Sequence, residues 1–131
     1  MARFPEQRLW DTMKRNKPPW AWLQRVENLC VEGMPDVWSP GAWVELKDVK
    51  LPARGSSKLL PKGKGLSQDQ INWHLKAHWH STNVFTLVRA GRELFLFDCP
   101  NEVNHLTVSE ARAARLACDW NDIFQHLRHN Q

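Results

Sequence analysis

Residues 33–47 read GMPDVWSPGAWVELK, and this stretch decides how the rest of the fold is arranged. Gly, Pro and Ser residues mark turns before and after the segment MPDVW, which is predicted to be a short strand. The segment AWVELKDV alternates as a strand does, with Glu45 and Lys47 on one face and Val44 and Leu46 on the other. The stretch therefore predicts a β-hairpin whose second strand presents a carboxylate and an ammonium in the same direction.

Outward from this hairpin, the chain is predicted to alternate between helices and strands. The predicted elements are a helix at 5–16, a strand at 21–31 with a continued helix as the alternative, a helix from Gln70 to about His80 capped by Ser67, and a hairpin around Ala90, Gly91 and Arg92. A capping box of Thr107 and Glu110 begins the last helix, whose predicted core face is Ala113, Leu116, Trp120, Ile123 and Leu127. This order predicts an α/β fold of the α+β type, with a small mixed sheet flanked by helices in a single domain over residues 1–131.

The clearest loop spans residues 48–66, which combine two Pro, three Gly and two Ser with a cluster of cations. These cations are Lys50, Arg54, Lys58, Lys62 and Lys64. An irregular connection of this length in a compact domain is usually functional or disordered, so we expect a basic flexible loop. Because the loop follows Lys47 directly, phosphate contact by its cations is favoured over a merely solvated surface.

Charge and cysteine content restrict the setting in which the protein acts. The net charge of +4 favours a polyanionic partner without requiring one. Cys30, Cys99 and Cys118 show no CxxC spacing, which indicates free thiols in a reducing compartment. No apolar run approaches the length of a membrane span, and the first residues lack the apolar core of a signal peptide. We therefore expect a cytoplasmic protein with no membrane association.

The charged residues of the hairpin are those that metal-assisted phosphodiester cleavage needs. That reaction uses hard oxygen ligands for Mg²⁺, a water near the metal and a cation that offsets charge developing at phosphorus. Asp36 and Glu45 would provide carboxylates from the two arms of the hairpin, and the backbone carbonyl of Leu46 would add a ligand. Lys47 would orient the attacking water or stabilise the transition state. A charged hairpin edge without a catalytic role is the alternative interpretation.

Pro35-Asp36 followed by Glu45-Leu46-Lys47 resembles the signature of the PD-(D/E)XK nuclease superfamily. The fuller set of segments VEN, EGMPDVW, AWVELK and LSQDQINWH is similar to small phage-type VRR-NUC and Holliday junction resolvase-like members, over residues 26 to about 97. The resemblance implies a restriction-endonuclease-like αβββαβ core in which Asp36 and Glu45 bind the metal and Lys47 assists catalysis. The chain departs from the family in a nineteen-residue basic insertion between the catalytic strand and the next helix.

The resemblance also implies an earlier acidic residue and a glutamine on the helix after the active-site strand. Glu27 is the expected acidic residue, as a further metal ligand and catalytic group, with Glu6 as a second candidate. Gln70 is the expected catalytic glutamine, with Gln68 as its neighbour on the same helix.

Together these features predict a Mg²⁺- or Mn²⁺-dependent endodeoxyribonuclease acting on branched or duplex DNA, such as a junction. A homodimer is expected, because two-strand cleavage is achieved most simply with one site in each of two subunits. If the protein is encoded by a phage, it would act in the cytoplasm of the host bacterium. The alternative is a catalytically inactive protein of the nuclease fold that binds DNA or inhibits a host system.

The histidines and cysteines suggest two other kinds of site. His74 and His78 lie one helical turn apart, but Leu75 stands where a zinc protease needs its glutamate. Surface or DNA-facing histidines are therefore favoured over a structural zinc site that would also use His80. The three cysteines lack the signature of a nucleophile, so buried structural thiols are expected instead of a thiol hydrolase.

Overall fold

A computed structural model describes residues 6–26 and 31–128 of the chain. Within these ranges, one mixed sheet of five strands is flanked by helices, as the sequence predicts. The strands are β1 Gln24–Arg25, β2 Val37–Ser39, β3 Ala42–Val49, β4 Val84–Ala90 and β5 Glu93–Phe97. The helices are α1 Gln7–Arg15, α2 Gln68–Trp79, α3 Pro100–Val103, α4 Val108–Ala114 and α5 Trp120–Leu127.

The five strands are adjacent in the sheet in the same order as in the sequence. β1, β2 and β3 pair antiparallel, as do β4 and β5, whereas β3 and β4 run parallel. A parallel pair needs a long crossover connection, and here the basic loop and α2 form it. The crossover brings the first turn of α2 back toward the middle of β3.

Each face of the sheet is covered by its own hydrophobic cluster. On one face, α1 and α5 pack on Val44 and Leu46 of β3 and on Phe85 and Leu87 of β4. On the other face, α3, α4 and the basic loop pack on Val88 and on alternate residues of β5. Glu45 and Lys47 belong to this second face, because they alternate with Val44 and Leu46 along β3.

The predicted loop at 48–66 is irregular but packed against the domain. β3 continues through Val49, and beyond it Leu59 and Leu60 are buried. The backbone of Lys58 forms an isolated β-bridge with Thr107, which fixes the loop beside the start of α4. The predicted strand at 21–31 is limited to Gln24–Arg25 in the described residues, and helical structure is not formed there.

The prediction of one long helix after Thr107 is wrong, because the chain forms α4 and α5 with a break between them. Arg115 adopts an extended conformation, and the next residues bond to the edge of β5. The amide of Leu116 donates to the carbonyl of Leu96 at 2.8 Å, and the amide of Leu96 donates to the carbonyl of Ala117 at 3.3 Å. Asp119 then caps α5, its side chain accepting from the amide of Asp122.

The break changes which residues face the core. Ala113 and Leu116, expected on the core face, are exposed. Ile123 and Leu127 are buried as predicted, and Phe124 joins them. Backbone groups at a sheet edge need hydrogen-bond partners. The hydrogen bonds that residues 116 and 117 form with Leu96 therefore stabilise the break more than a continued helix would.

Gly33 determines how closely the turn before the hairpin approaches α2. Its φ of +81° lies in the left-handed region, and a Cβ built there would collide with the backbone carbonyl of Asp69 in the first turn of α2. Gly63, in the basic loop, has a similar φ of +85° but open space around it. The two glycines therefore share a backbone conformation and differ only in what surrounds them.

We expect Gly33→Ala to destabilise the protein more than Gly63→Ala. Both substitutions place a side chain in the left-handed region, which costs about 1–2 kcal/mol. Gly33→Ala also forces α2 away from the turn, which adds about 1–3 kcal/mol. Urea unfolding of the two variants and the wild type measures the difference. Equal losses of unfolding free energy would contradict the close packing of the turn on α2.

Candidate active site

The two predicted carboxylates lie together where β2 and β3 diverge. Asp36 directly precedes β2, and its Oδ2 atom accepts a 2.8 Å hydrogen bond from the amide of Leu46. Glu45 lies in the middle of β3 with only 2% of its surface exposed. The side chain of Asp36 lies close enough to that of Glu45 to raise its pKa. The hairpin thus brings together two carboxyl groups that are nine residues apart in the sequence.

Lys47 and Gln70 complete the cluster on the same face of β3. The Nζ atom of Lys47 lies 3.9 Å from Oε2 of Glu45 and donates to Oε1 of Gln70 at 3.1 Å. The Nε2 atom of Gln70 donates to Oε2 of Glu45 at 3.0 Å. Gln70 therefore orients both the carboxylate and the ammonium. The predicted parity of Glu45 and Lys47 and the predicted involvement of Gln70 agree with this geometry.

Local structure at the start of α2 holds Gln70 in place. Ser67 is the N-cap, as predicted, and forms a capping box in which its amide donates to Oε1 of Gln70 at 2.9 Å. The ring of Trp73 packs edge-on against that of Trp43 on β3, with centroids 5.5 Å apart. Gln68 points elsewhere and bonds to Asn72. The cap and the ring contact together fix the helix on the strand that carries Glu45.

Arg25 belongs to the cluster, although nothing in the sequence pattern identified it. Its Nη1 atom lies 3.1 Å from Oδ1 of Asp36 and donates to the backbone carbonyl of the same residue at 2.9 Å. The contact follows from the pairing of β1 with β2, which places Arg25 opposite Val37. Such a pairing between distant segments has no local sequence signal. Arg25 holds Asp36 in position beside Glu45.

The environment of Glu45 opposes its ionisation. Burial raises the pKa of Glu45 well above its ordinary value, and the charge of Asp36 and the hydrogen bond to it raise the pKa further. Lys47 lowers the pKa but does not outweigh these effects. Glu45 Oε1 is buried with no hydrogen-bond partner among the described residues. A proton or a cation at this oxygen would relieve both the charge repulsion and the missing hydrogen bond.

Of the two candidates for an additional acidic residue, Glu6 lies near the cluster. Burial raises the pKa of Glu6, and the charge of Asp36 raises it further, while Lys47 and Arg25 lower it. These influences place Glu6, at the start of α1, within electrostatic reach of the site. Glu27 lies outside the described residues.

His74 is buried, so the expectation of a surface or DNA-facing histidine is wrong for this residue. Only 1% of its surface is exposed, and its Nε2 atom has no hydrogen-bond partner within the described ranges. Burial lowers the pKa of His74 to about 4, with further lowering by His78 and Lys47. A neutral imidazole therefore packs under α2, because the helix turns residue 74 toward the sheet. His78 and His80 are exposed.

Cys99 and Cys118 are free and exposed, which corrects the expectation of buried thiols for these two residues. Cys99 donates to the carboxylate of Asp98, and this hydrogen bond is the main reason that its pKa is raised to about 11. A thiol with a raised pKa forms little of the nucleophilic thiolate at neutral pH. Cys30 lies outside the described residues.

The oxygen donors of the cluster fit a magnesium ion better than a zinc ion. Asp36 and Glu45 offer two carboxylates, and the carbonyl of Leu46 faces the same side of β3 as the amide that bonds to Asp36. In residues 6–26 and 31–128, no group of three or more His, Cys, Asp or Glu side chains is arranged to hold a metal ion. Mg²⁺ commonly binds through only one or two carboxylates and retains several waters, so the available donors suffice for it.

The predicted nucleic-acid-binding cations of the loop are all exposed: Lys50, Arg54, Lys58, Lys62 and Lys64. Lys50 and Lys64 line a cleft next to the end of β3. Lys58 and Lys62 line a separate depression on the other side of the loop. The loop thus presents its charge to solvent on two different surfaces.

Comparisons with protein-family models, with characterised proteins and with solved structures found no match to this chain. None of the helices in the described part of the chain is long and apolar enough to cross a membrane.

We expect Glu45→Gln, in EDTA, to become progressively more stable than the wild type as the pH rises above the ordinary pKa of a glutamate. A raised pKa means that folded Glu45 binds its proton more tightly than unfolded Glu45, so the wild type loses stability as the pH rises toward that pKa. The lowered pKa of His74 acts oppositely, adding stability as the pH rises from about 4 to 6.5.

His74 is present in both proteins, so the difference between their unfolding free energies isolates Glu45. Urea unfolding at several pH values measures that difference. If this difference in unfolding free energy does not change with pH, the pKa of Glu45 is not raised in the folded protein.

Proposed function

We propose that the protein is a metal-dependent endonuclease that hydrolyses phosphodiester bonds in DNA. The observation that carries the proposal is the buried carboxyl group of Glu45, which lies beside the half-buried carboxyl group of Asp36 and contacts Lys47 and Gln70. A domain stabilised only by packing has no use for a buried carboxylate that lies beside a second carboxylate and has an oxygen without a partner in the described residues. Sites that handle metal ions and phosphates need such an arrangement.

The order of the secondary-structure elements supports a restriction-endonuclease-like core. The first six elements are a helix, three strands, a helix and a strand, which is the αβββαβ order implied by the resemblance. In this core the antiparallel strands β1 to β3 precede a crossover to the parallel strand β4. The candidate site then lies on the strand that the family uses for its signature residues.

The donor groups for a Mg²⁺ or Mn²⁺ ion would be the carboxylates of Asp36 and Glu45 and the carbonyl of Leu46. When bound, such an ion provides Lewis acidity toward a phosphoryl oxygen and lowers the pKa of a coordinated water. The hydrogen bond from Gln70 keeps the carboxylate of Glu45 in place before any ligand arrives. The hydrogen bonds from Leu46 and Arg25 to Asp36 limit its rotation.

Lys47 is the residue of the cluster suited to contact the substrate. Its ammonium has one hydrogen bond to Gln70 and a longer ion pair with Glu45, so it retains donor capacity for a phosphate oxygen or an attacking water. Placing a cation against the charge that develops at phosphorus stabilises the transition state. Gln70 acts through Lys47 and Glu45 and is assigned a positioning role.

DNA is proposed as the substrate because the chain is basic and its loop cations are exposed beside the site. Branched or duplex DNA and a homodimeric assembly are parts of the same proposal, since cutting both strands requires two sites. A protein with this activity would work in the cytoplasm, or in the host cytoplasm if it is encoded by a phage.

We expect the wild type to cleave DNA with Mg²⁺ or Mn²⁺ and to be inactive in EDTA. Glu45→Ala and Asp36→Ala should abolish cleavage, because each removes a proposed ligand of the metal. Lys47→Ala should lower the rate by about 10²–10³-fold through loss of electrostatic stabilisation. The measurement is a cleavage assay over duplex, single-stranded, flap and four-way substrates.

Glu102→Gln is the matched control, because Glu102 is an exposed carboxylate on α3, outside the cluster. It should cleave at the wild-type rate. Cleavage at the wild-type rate by Glu45→Ala would contradict the assignment. Salt-sensitive DNA binding without cleavage of any substrate would instead favour the catalytically inactive alternative.

A further inference from the structure

A cationic cleft of about 660 Å³ opens between α1, the end of β3 and the basic loop. Its charged lining residues are Arg8, Asp48, Lys50, Lys64 and Arg89. A volume of this order accommodates a small ligand or part of a larger one. With four cations and one carboxylate, the lining has a net positive charge, and the cleft is therefore suited to an anion.

The only carboxylate of this lining is already engaged by one of its cations. Arg89 binds Asp48 through two hydrogen bonds, from Nε to Oδ1 at 3.1 Å and from Nη2 to Oδ2 at 2.7 Å. Its Nη1 atom donates to the hydroxyl of Thr12 on α1 at 2.9 Å. Such a bidentate pair is geometrically fixed, so Arg89 and Asp48 form a rigid and nearly neutral floor.

The other three cations have no such compensation. Arg8, Lys50 and Lys64 are exposed, and none of them forms a salt bridge with an acidic side chain in the described parts of the chain. They come from α1, from the residue after β3 and from the basic loop, respectively. Convergence of three uncompensated cations from separate segments costs electrostatic free energy unless an anion binds between them.

The cationic cleft adjoins the candidate active site. Asp48 follows Lys47 directly on β3 and lies about 10 Å beyond Glu45 along the strand. Its side chain is on the opposite face of the sheet, where its partner Arg89 also contacts α1. Glu6, two residues before Arg8, is within electrostatic reach of both Asp36 and Asp48. A strand bound at the site would thus reach the cleft with a nearby phosphate.

We propose that the cationic cleft binds a phosphate group of the nucleic-acid strand near the bond that is cut. Arg8, Lys50 and Lys64 contact the phosphate oxygens, while the Arg89–Asp48 pair holds the floor of the cleft. This inference rests on the proposed nuclease function and assigns to it a second contact that fixes the register of the strand. A free oligophosphate presents the same chemistry and is distinguished by the experiment.

The test is binding of a fluorescently labelled DNA oligonucleotide, followed by anisotropy in EDTA so that cleavage cannot interfere. Arg8→Ala and Lys64→Ala should each weaken binding by about tenfold, the effect of losing one charge-assisted contact. Each should also reduce the slope of log affinity against log salt by about one. Lys76→Ala is the matched control, because Lys76 is an exposed lysine on α2 that does not line the cleft. It should bind within about twofold of the wild type.

A second arm measures pyrophosphate binding by calorimetry with the wild type and Lys64→Ala. If pyrophosphate binds through Lys64 while Lys64→Ala binds the oligonucleotide like the wild type, the cleft serves a small phosphorylated ligand and the proposal is overturned. Equal weakening by Lys76→Ala and Lys64→Ala would also overturn it, since the cations of the protein would then act only as diffuse charge. Because no metal is present, these outcomes are independent of whether the protein cleaves DNA, which the cleavage assay decides.

Discussion

Burying the carboxylate of Glu45 beside that of Asp36 costs free energy, and the elements around the pair are arranged to offset that cost. The amide of Leu46 and the guanidinium of Arg25 bind Asp36, while Gln70 donates to Glu45 and Lys47 lies close by. These partners come from β1, β3 and α2, so the sheet and α2 must assemble correctly before the pair is tolerated. The oxygen of Glu45 that has no partner in the described residues is the remaining cost, and a bound cation would remove it.

The position of α2 determines which groups contact Glu45 on its face of the sheet. A parallel connection from β3 to β4 returns the chain across the face that carries Glu45, and the capping box directs Gln70 at that residue. Gly33 allows the turn before β2 to touch the same helix end. The same connection carries the basic loop past the end of β3, where the cationic cleft opens. The candidate active site and the cationic cleft thus both depend on one crossover.

Local sequence signals were sufficient for the centre of the site but not for its surroundings. Strand alternation predicted that Glu45 and Lys47 share a face, and the cap at Ser67 predicted where α2 begins, whereas Gln70 was named from the family resemblance. Arg25 reaches Asp36 only through the pairing of β1 with β2, which no local pattern encodes. The break after α4 likewise arises from hydrogen bonds to the edge of β5, although residues 107–127 have helical periodicity. Tertiary contacts, and not local propensity, determine both the position of Arg25 and the break after α4.

The central claim is that Asp36 and Glu45 form a site for a divalent cation and are not merely a buried structural pair. The most direct measurement is a Mn²⁺ titration of the metal-free protein, followed by electron paramagnetic resonance, for the wild type and Glu45→Gln. The account predicts one bound Mn²⁺ for each wild-type chain and loss of that binding in Glu45→Gln, which keeps the shape of the side chain. Equal Mn²⁺ binding by the two proteins, or no binding by the wild type, would contradict it.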